Sequence, residues 1–322
     1  MSIAIHIPFY NQEPYKKEGF KQLTRFDYLL ENINNLKKLP AKTDIFVHTH
    51  NDFFKDKEIN AKIVIHNIEV KDLEKGYLTW KVRSLMEKHL DKYEYYIYLE
   101  HDIKFTSENF NYWLEYKKKL QNKKLNLGFI VYENSNDKKP NYAVHIVEKF
   151  YRYKEIKNQK YFINEIDNYC CFWIYDNQDF KNFVNSKWWN FKKKLTNYRH
   201  YYGVTETAAL GLHAFNINYF RGTVLPVIQN NLDKRCFVEH ITNNYLDKFK
   251  NSPKNENKGE IKKGIEDVCK YRVNDLLANE QSQYKTEFLS SISYINHKFL
   301  WKFRFLKRVK KSIAKKFKKF DK

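Results

Sequence analysis

The sequence predicts an α/β fold: a mainly parallel sheet with helices on its faces. Short apolar, β-branched segments alternate with segments of helical periodicity through the first hundred residues, the pattern of successive βαβ units. The aromatic, apolar segment 93–103 is typical of a buried strand, and it ends abruptly in Glu100-His101-Asp102. Because α/β folds place ligands at the carboxyl ends of buried strands, we expect a site there.

Each element follows from a local pattern of residues. Strand segments are rich in β-branched or aromatic side chains, and the first of them is stopped by Pro8. Helical segments repeat an apolar residue every three or four positions. The predicted strands are 2–7, 43–47, 63–65, 95–99, 125–131, 142–147, 168–175 and 224–227, and an apolar segment at 236–240 follows. The predicted helices are 23–36, 76–90, one through Phe180 and Phe183, and one opening within 201–211.

Bulk composition bounds the class of protein. A chain of 322 residues with 42% hydrophobic residues is long enough for one large domain with an appendage, or for two small domains. The four cysteines show no CxxC spacing, which indicates free thiols rather than a disulfide framework or a zinc ribbon. No basic region precedes a long apolar run at the amino terminus, and no run approaches about 18 apolar residues. We therefore expect neither a signal peptide nor a spanning helix.

The positive charge is concentrated at the carboxyl end. Residues 298–322 contain 12 Lys and Arg and one Asp, about half of the net charge of +21. Apolar residues recur every three or four positions from Phe299 to Phe320, and lysines fill the other faces. This pattern predicts a basic amphipathic helix lying on an anionic membrane surface. The alternative is a helix packed on the domain with a solvated basic face.

Three further motifs each admit a bland and a functional interpretation. The run from His48 to Asp52 contains HxHxD, which resembles the metal site of metallo-β-lactamase-like hydrolases, although Phe53 stands where that family has another His. Asn51 and Asp52 equally suit contact with a base or sugar hydroxyl, or the cap of a helix. The pair Trp188-Trp189 suits the core or a stacking platform for a sugar ring.

Polar residues at element ends have structural alternatives too. Glu100 and Asp102 could cap the helix that Thr106 introduces, because the sequence there is typical of a helix start. Glu206 stands in the first turn of a predicted helix, where the helix dipole favours a negative charge. His240, taken alone, suits a structural role.

The ordered set of motifs resembles a known family. Segments 3–11 and 44–51, the helix from Gly76, 98–102, Thr205-Glu206 and 236–240 follow one another as in the GT-A-fold, nucleotide-sugar-dependent glycosyltransferases. The small bacterial cell-envelope enzymes of that type are the most similar. The resemblance covers about residues 1–250 and rests on the order and spacing of short motifs. It implies a GT-A-like domain over 1–250. The polar segment 251–264, with Pro253 and Gly259, predicts a linker, and a helical extension is predicted over 265–322.

The resemblance also implies a metal site. The segment Glu100-His101-Asp102 matches the family's DxD position, with Glu for the first Asp and His in the middle. Asp102 would bind Mn²⁺ or Mg²⁺, and Glu100 would help to hold the donor. His240 matches the late histidine that completes the metal or diphosphate site. A hard divalent cation held by carboxylates neutralises the charge of a departing diphosphate.

The resemblance implies roles for further residues that stand at matching positions. Glu206 matches the catalytic base of the family's xED motif, although Thr207 follows it in place of Asp, which leaves Asp233 and Glu239 as rivals. The resemblance further implies contacts to the donor from a set of residues before the Glu-His-Asp segment. Tyr10, Asn11 and Asn51 would line the nucleotide pocket, and Lys81 or Arg83 would meet the diphosphate.

The resemblance thus implies an inverting, metal-dependent glycosyltransferase of the hexosyltransferase class. It would move a sugar from a nucleotide-sugar donor to a glycan or lipid-linked acceptor in polysaccharide biosynthesis, at the cytoplasmic face of the membrane. We expect no nucleic acid as partner, since half of the charge sits in the tail. Two other classes remain as alternatives: a basic nucleic-acid-binding protein or nuclease, and a non-catalytic membrane-associated protein with a degenerate transferase fold.

Overall fold

The structure is a computed structural model of the chain. It describes residues 1–278 apart from 12–16, 18–20, 122, 124, 135–140, 147–148, 165–167, 192–194, 197–200, 212–222, 247–268 and 270. The predicted linker at 251–264, the basic amphipathic helix at 298–322, and nearly all of the predicted extension that contains it lie outside the described residues.

Helices and strands alternate through the first half of the described chain. The helices are α1 (Arg25–Leu36), α2 (Val70–Leu73), α3 (Leu78–Lys88), α4 (Ser107–Lys119), α5 (Asn177–Val184) and α6 (Val204–Ala209). The strands of the first half are β1 (Ser2–Pro8), β2 (Lys42–Thr49), β3 (Lys62–Ile65), β4 (Tyr95–Leu99), β5 (Ile103–Lys104), β6 (Asn126–Leu127), β7 (Ile130–Glu133) and β8 (Tyr142–Ala143). Those of the second half are β9 (Tyr153–Ile156), β10 (Gln159–Asn164), β11 (Phe172–Asp176), β12 (Leu195–Thr196), β13 (Tyr201–Tyr202), β14 (Thr223–Ile228), β15 (Asn231–Leu232), β16 (Phe237–His240) and β17 (Tyr271–Arg272).

The main sheet has five strands in the order β11-β4-β1-β2-β3. Strand β1 runs parallel to β2 and β4, and β2 runs parallel to β3. Strand β11 pairs antiparallel with β4 at one edge, so the sheet is mainly parallel, as predicted. Residues of β1 and β4 are almost all buried, which matches their apolar sequence. The predicted α/β class, with helices flanking a mainly parallel sheet, is confirmed.

A second five-stranded sheet has the order β17-β8-β7-β16-β5. It begins immediately after the Glu-His-Asp segment, because β5 starts at Ile103. Strand β16 pairs antiparallel with β5, with His240 opposite Ile103, and parallel with β7. This pairing carries His240 to the end of β4, although 138 positions separate it from Asp102 in the chain.

The structure divides the predicted strand 125–131. The chain leaves β6 at Gly128, whose amide donates to the carbonyl of Val224 at 2.8 Å, and enters the second sheet as β7. A Cβ at Gly128 would lie 3.1 Å from side-chain atoms of Thr223 and Leu225, so only glycine fits this crossing without adjustment. The hairpin of β9 and β10 was not predicted.

Buried aromatic residues fill the space between the sheets and helices. Trp189 is 2% exposed and packs against Phe180 and Phe183, which agrees with the core interpretation of that tryptophan. The four cysteines are buried free thiols. Among the helices described, none combines the length and apolar character that crossing a bilayer requires.

Candidate functional site

The Glu-His-Asp segment forms a tight turn between β4 and β5. The amide of Glu100 donates to the carbonyl of Cys171 on the β11 side at 3.2 Å. The carbonyl of Asp102 accepts from the amide of Ile241 at 3.0 Å, directly after β16. Both sheets therefore hold this turn in place, and its side chains gather where the two sheets meet.

Asp102 and His240 lie in contact at this junction. The Nε2 atom of His240 is 3.2 Å from Oδ2 of Asp102 and 2.9 Å from Oγ1 of Thr242. The Nδ1 atom of His240 is 2.5 Å from Oε1 of Glu133. The imidazole is thus clasped between two carboxylates, with one on each ring nitrogen.

Glu133 is a residue of this cluster that the sequence interpretation missed. Its carboxylate is enclosed by protein and accepts from the amides of Tyr245 at 3.2 Å and Leu246 at 2.7 Å. Glu133 ends the apolar strand β7, just as Glu100 follows the apolar strand β4. An acidic residue at the end of a buried strand is therefore the sequence signal by which Glu133 could have been identified.

Glu100 occupies the apolar side of the cluster. Its Oε1 atom accepts a hydrogen bond of 2.9 Å from the hydroxyl of Tyr169. Burial, with the nearby charge of Asp102 adding to it, raises the pKa of Glu100 to about 8. The charge of Glu206 raises this pKa further.

The pKa values of Asp102 and His240 are both shifted in the direction that favours the charged form. Burial disfavours the charged form of each residue, but the neighbouring opposite charges outweigh that effect. The imidazoles of His101 and His240 hold the pKa of Asp102 well below its usual range. The carboxylates of Asp102 and Glu133 raise the pKa of His240 to about 10. His240 is therefore an imidazolium at neutral pH.

Contacts between α3 and α6 fix the chain immediately before Glu206. Gly76, at φ +81°, turns the chain into α3 so closely that a Cβ there would lie 2.4 Å from Oγ1 of Thr205. The indole of Trp80 donates to the carbonyl of Val204 at 2.9 Å. The Glu206 carboxylate lies over Gly203, where a Cβ would lie 2.5 Å from Oε2. Because Gly76 and Gly203 have no Cβ, the side chains of Thr205 and Glu206 can lie this close to the backbone.

The fit of a divalent metal depends on the oxygen and nitrogen donors present. Among the described residues, no group of three or more His, Cys, Asp or Glu side chains is arranged to enclose an ion. Asp102 and His240 nevertheless supply one oxygen and one nitrogen 3.2 Å apart, close enough to bind the same ion. Mg²⁺ is commonly held by one or two protein carboxylates together with substrate phosphates. The pair therefore fits a metal ion whose remaining coordination positions are filled by a diphosphate.

The predicted nucleotide-pocket residues lie at the carboxyl ends of the first two strands. Tyr10 follows β1, and its ring centroid is 5.2 Å from that of His50, which follows β2. Asn11 is buried beside Tyr10. The side-chain oxygen of Asn51 accepts from the amide of Phe53 at 3.3 Å in an Asx turn. No helix begins at Asn51 or Asp52, so the interpretation of these residues as a helix cap is wrong.

The two predicted diphosphate contacts on α3 have different environments. Lys81 is exposed, on the side of α3 that faces His66. Arg83 is 2% exposed and donates to the carbonyls of Trp188 at 3.1 Å, Ala208 at 3.0 Å, and Trp189. Burial lowers its pKa to about 9. The expectation that Arg83 meets a diphosphate is corrected: its guanidinium ties α3 to the loop after α5 and the end of α6.

The rival bases lie apart from the cluster. Asp233 forms an ion pair of 2.7 Å with Arg235 and is 4% exposed. Glu239 points away from His240, because neighbouring residues of a strand face opposite sides, and it pairs with Lys104 at 3.5 Å. It lines a cavity of about 680 Å³ behind the second sheet, together with Tyr132 and Phe237. Both rival carboxylates are thus engaged by basic side chains.

Comparison of the sequence with protein-family models and with curated proteins finds no match. Comparison with solved structures finds similarities at low identity. A CMP:2-keto-3-deoxy-manno-octonic acid synthetase complexed with CTP is 12% identical with a TM-score of 0.26, over 41% of this chain and 52% of that one. S. aureus TarS (1–349) is 12% identical with a TM-score of 0.32, over 56% of this chain and 49% of that one.

A third similar structure is the 4-diphosphocytidyl-2C-methyl-D-erythritol synthase of Anaerococcus prevotii, which is 13% identical with a TM-score of 0.33. The match covers 72% of this chain and 89% of that one. The chain spans about half the length of the first two structures. Because the TM-scores are low, the α/β fold class rests on the strand order of this chain itself.

Proposed function

We propose that this protein is a nucleotide-sugar-dependent glycosyltransferase whose reaction centre is the Asp102–His240 cluster. The observation that carries the proposal is the 3.2 Å contact between Asp102 and His240 at the carboxyl end of β4. Two motifs far apart in sequence meet there, in the turn that also carries Glu100. The fold places these side chains where α/β sheets bind ligands.

The donor would lie along the carboxyl ends of β1, β2 and β4. Tyr10 and Asn51 supply an aromatic face and a polar edge for the nucleotide. Lys81, exposed on α3, supplies a cation for its diphosphate. This arrangement supports a nucleotide donor without specifying its base or sugar.

Asp102 and His240 would hold Mn²⁺ or Mg²⁺. When bound, the cation supplies positive charge that neutralises a diphosphate leaving group. His240 must release its Nε2 proton to act as a ligand, and Glu133 then keeps the ring oriented through Nδ1. The cluster therefore exchanges a proton for a metal ion, so we expect metal affinity to rise with pH.

Glu206 is proposed as the base that takes the proton of the acceptor hydroxyl. It lies in the first turn of α6, and its charge raises the pKa of Glu100. Direct displacement with one base inverts the configuration at the anomeric carbon, and the inverting assignment rests on this role. The acceptor is proposed to be a cell-surface glycan or a lipid-linked sugar, reached from the cytoplasmic face of the membrane through residues 298–322.

The test is thermal stability against UDP-, GDP-, CMP- and dTDP-sugars, with and without Mn²⁺. A ligand at about 100 times its dissociation constant adds about 2.7 kcal/mol to the free energy of unfolding, which is a readily measured shift. We expect a Mn²⁺-dependent shift with one nucleotide class. No shift with any donor would contradict the proposal and favour a non-catalytic or nucleic-acid-binding protein.

A further inference from the structure

Four histidines form a continuous hydrogen-bonded chain through the core, and none of them belongs to the Asp102–His240 cluster. His6 Nδ1 lies 2.9 Å from His48 Nε2, and His48 Nδ1 lies 2.7 Å from His66 Nε2. At the other end, His89 Nδ1 lies 3.4 Å from His6 Nε2. The rings come from β1, β2, the residue after β3, and the end of α3, so the chain joins three strands to one helix.

The two inner rings are closed off from water and the two outer rings are not. His6 and His48 are fully buried, whereas His66 and His89 are partly exposed. The ring of His6 also stacks on Phe46 at 4.8 Å. Burial first, and then the neighbouring imidazoles, hold the pKa of His6 and of His48 well below the usual value. The inner pair is therefore neutral.

The number of protons on the chain decides whether its hydrogen bonds survive. A neutral imidazole has one donor and one acceptor nitrogen, so four neutral rings in a row satisfy all three contacts. One additional proton is tolerated at an end, where the ring keeps its inward N–H. A second additional proton forces two N–H groups to face each other at one of the contacts. That contact breaks, and a charge is left in the core.

The surroundings decide which end takes the first proton. Burial lowers the pKa of His89, Lys92 and Lys62 lower it further, and Asp44 acts in the opposite direction. Asp44 is itself bonded to Tyr93, whose ring lies beside His89, and to Lys62.

The opposite end is less favourable for a proton. His66 faces Lys81, which opposes a positive charge. Of the groups facing the chain, Asp44 is the one that attracts a proton, and it stands at the His89 end.

From this geometry we infer that the histidine chain is an acid-sensitive clamp, which holds β1, β2 and β3 to α3 with at most one additional proton and opens when a second proton binds. The carboxyl ends of β1 and β2 carry Tyr10 and His50. Opening the clamp would therefore release the walls of the candidate nucleotide pocket.

The test is the pH dependence of unfolding by urea between pH 4.5 and 7.5. Unfolding exposes four histidines of ordinary pKa, while the folded chain holds one proton, so about three protons are taken up. The unfolding constant of the wild-type protein should then rise about a thousand-fold per pH unit below about pH 5.5. In the double variant His6→Leu, His48→Leu, this steepness should fall by two to three protons.

His50→Gln is the matched control, since it removes a half-buried histidine of the same region that stands outside the chain. Because burial lowers the pKa of His50, this variant should lose at most one proton of the dependence and keep the rest. Equal steepness in the wild type and the double variant would overturn the inference.

A measurement on the wild-type protein covers the case in which the double variant does not fold. In ¹⁵N-labelled protein at pH 7.5, we expect scalar coupling across the N–H···N bond of His6 and His48. On acidification, both rings should keep neutral-imidazole shifts until the native spectrum is lost as a whole. Protonation of either ring within an otherwise unchanged native spectrum would refute the clamp.

Discussion

The Nδ1 atom of His240 lies 2.5 Å from Oε1 of Glu133, a carboxylate that protein encloses on all sides. Since the opposite nitrogen of the same ring contacts Asp102, the imidazolium bridges a structural carboxylate and a candidate metal ligand. The bridge also spans strands β7, β16 and the turn after β4. Orientation of the proposed metal ligand thus depends on a residue that the donor never touches.

Replacing Glu133 tests this dependence. Glu133→Gln keeps one acceptor oxygen but cannot satisfy His240 and the amides of Tyr245 and Leu246 together, so one buried donor is left unpaired. We expect a loss of about 1–3 kcal/mol in the free energy of unfolding, measured by urea denaturation. Mn²⁺ affinity, measured by calorimetry, should fall about 10- to 100-fold. Glu155→Gln, at an exposed position on β9, is the control and should change neither quantity.

The raised pKa of Glu100 predicts a stability that depends on pH. The folded state keeps a proton up to about pH 8, whereas the unfolded carboxyl releases it near its ordinary value of 4.5. Stability is therefore lost as the pH rises between those values, by up to about 1.4 kcal/mol per pH unit. Glu100→Gln cannot ionise, so its stability relative to the wild type should increase from pH 5 to pH 8. A constant difference across that range would contradict the assignment.

The raised pKa of His240 predicts a second, higher pH range over which stability is lost. Its pKa is raised in the folded state, so its contribution to stability is complete below the ordinary value of 6.5 and is lost as the pH rises toward about 10. Urea denaturation of wild type and His240→Gln at pH 6, 8 and 9.5 measures it. The wild type should lose its advantage over the variant as the pH rises. An advantage that grows with pH would show that His240 is neutral.

Two substitutions separate donor binding from transfer. Glu206→Gln should bind the donor as well as the wild type does but should lose sugar transfer, because the acceptor hydroxyl keeps its proton. Nucleotide-sugar binding is measured by calorimetry, and transfer by release of the nucleotide diphosphate. Full transfer by this variant would remove Glu206 from its proposed role. Asp102→Asn should abolish Mn²⁺-dependent donor binding, and normal binding would remove the proposed metal site.

Substitutions of Arg83 and Lys81, which both lie on α3, should have opposite effects on stability and donor binding. Arg83→Met removes the guanidinium hydrogen bonds to the carbonyls of residues 188, 189 and 208 and should cost about 2–5 kcal/mol of stability. Lys81→Ala, at an exposed position, should change stability by less than about 0.5 kcal/mol. It should weaken donor binding if Lys81 meets the diphosphate. Urea denaturation and calorimetry of both variants check this.

The first half of the main sheet could be predicted because its strands are consecutive and buried. The predicted strands 2–7, 43–47, 63–65 and 95–99 correspond to β1 to β4 within two residues at each end. Apolar periodicity reports burial, and the central strands of this sheet are buried on both faces or nearly so. The antiparallel pairing of β11 with β4 could not be predicted, since periodicity does not report direction.

The site was predictable only where a local motif marked it. Glu100 and Asp102 follow a strand of conspicuous apolarity, whereas Glu133 closes a strand that the sequence suggested ended earlier. Arg83 was misplaced because a cation on an amphipathic helix suits a ligand or the surface, and its three carbonyl partners lie over a hundred positions away. The histidine chain was missed for the same reason, since three of its four members come from separate strands or strand ends.

The pairing of β5 with β16 has a consequence for how the protein is made. All five residues of the reaction cluster except Glu206 and His240 are synthesised in the first 133 positions, yet the cluster closes only when β16 adds to the sheet. Contacts of such long sequence separation form late and slowly. A nascent chain that ends before residue 236 can build β1 to β4, but it carries Asp102 and Glu133 without their shared imidazolium. A chain that ends before residue 236 therefore lacks the Asp102–His240 contact on which the proposed function rests.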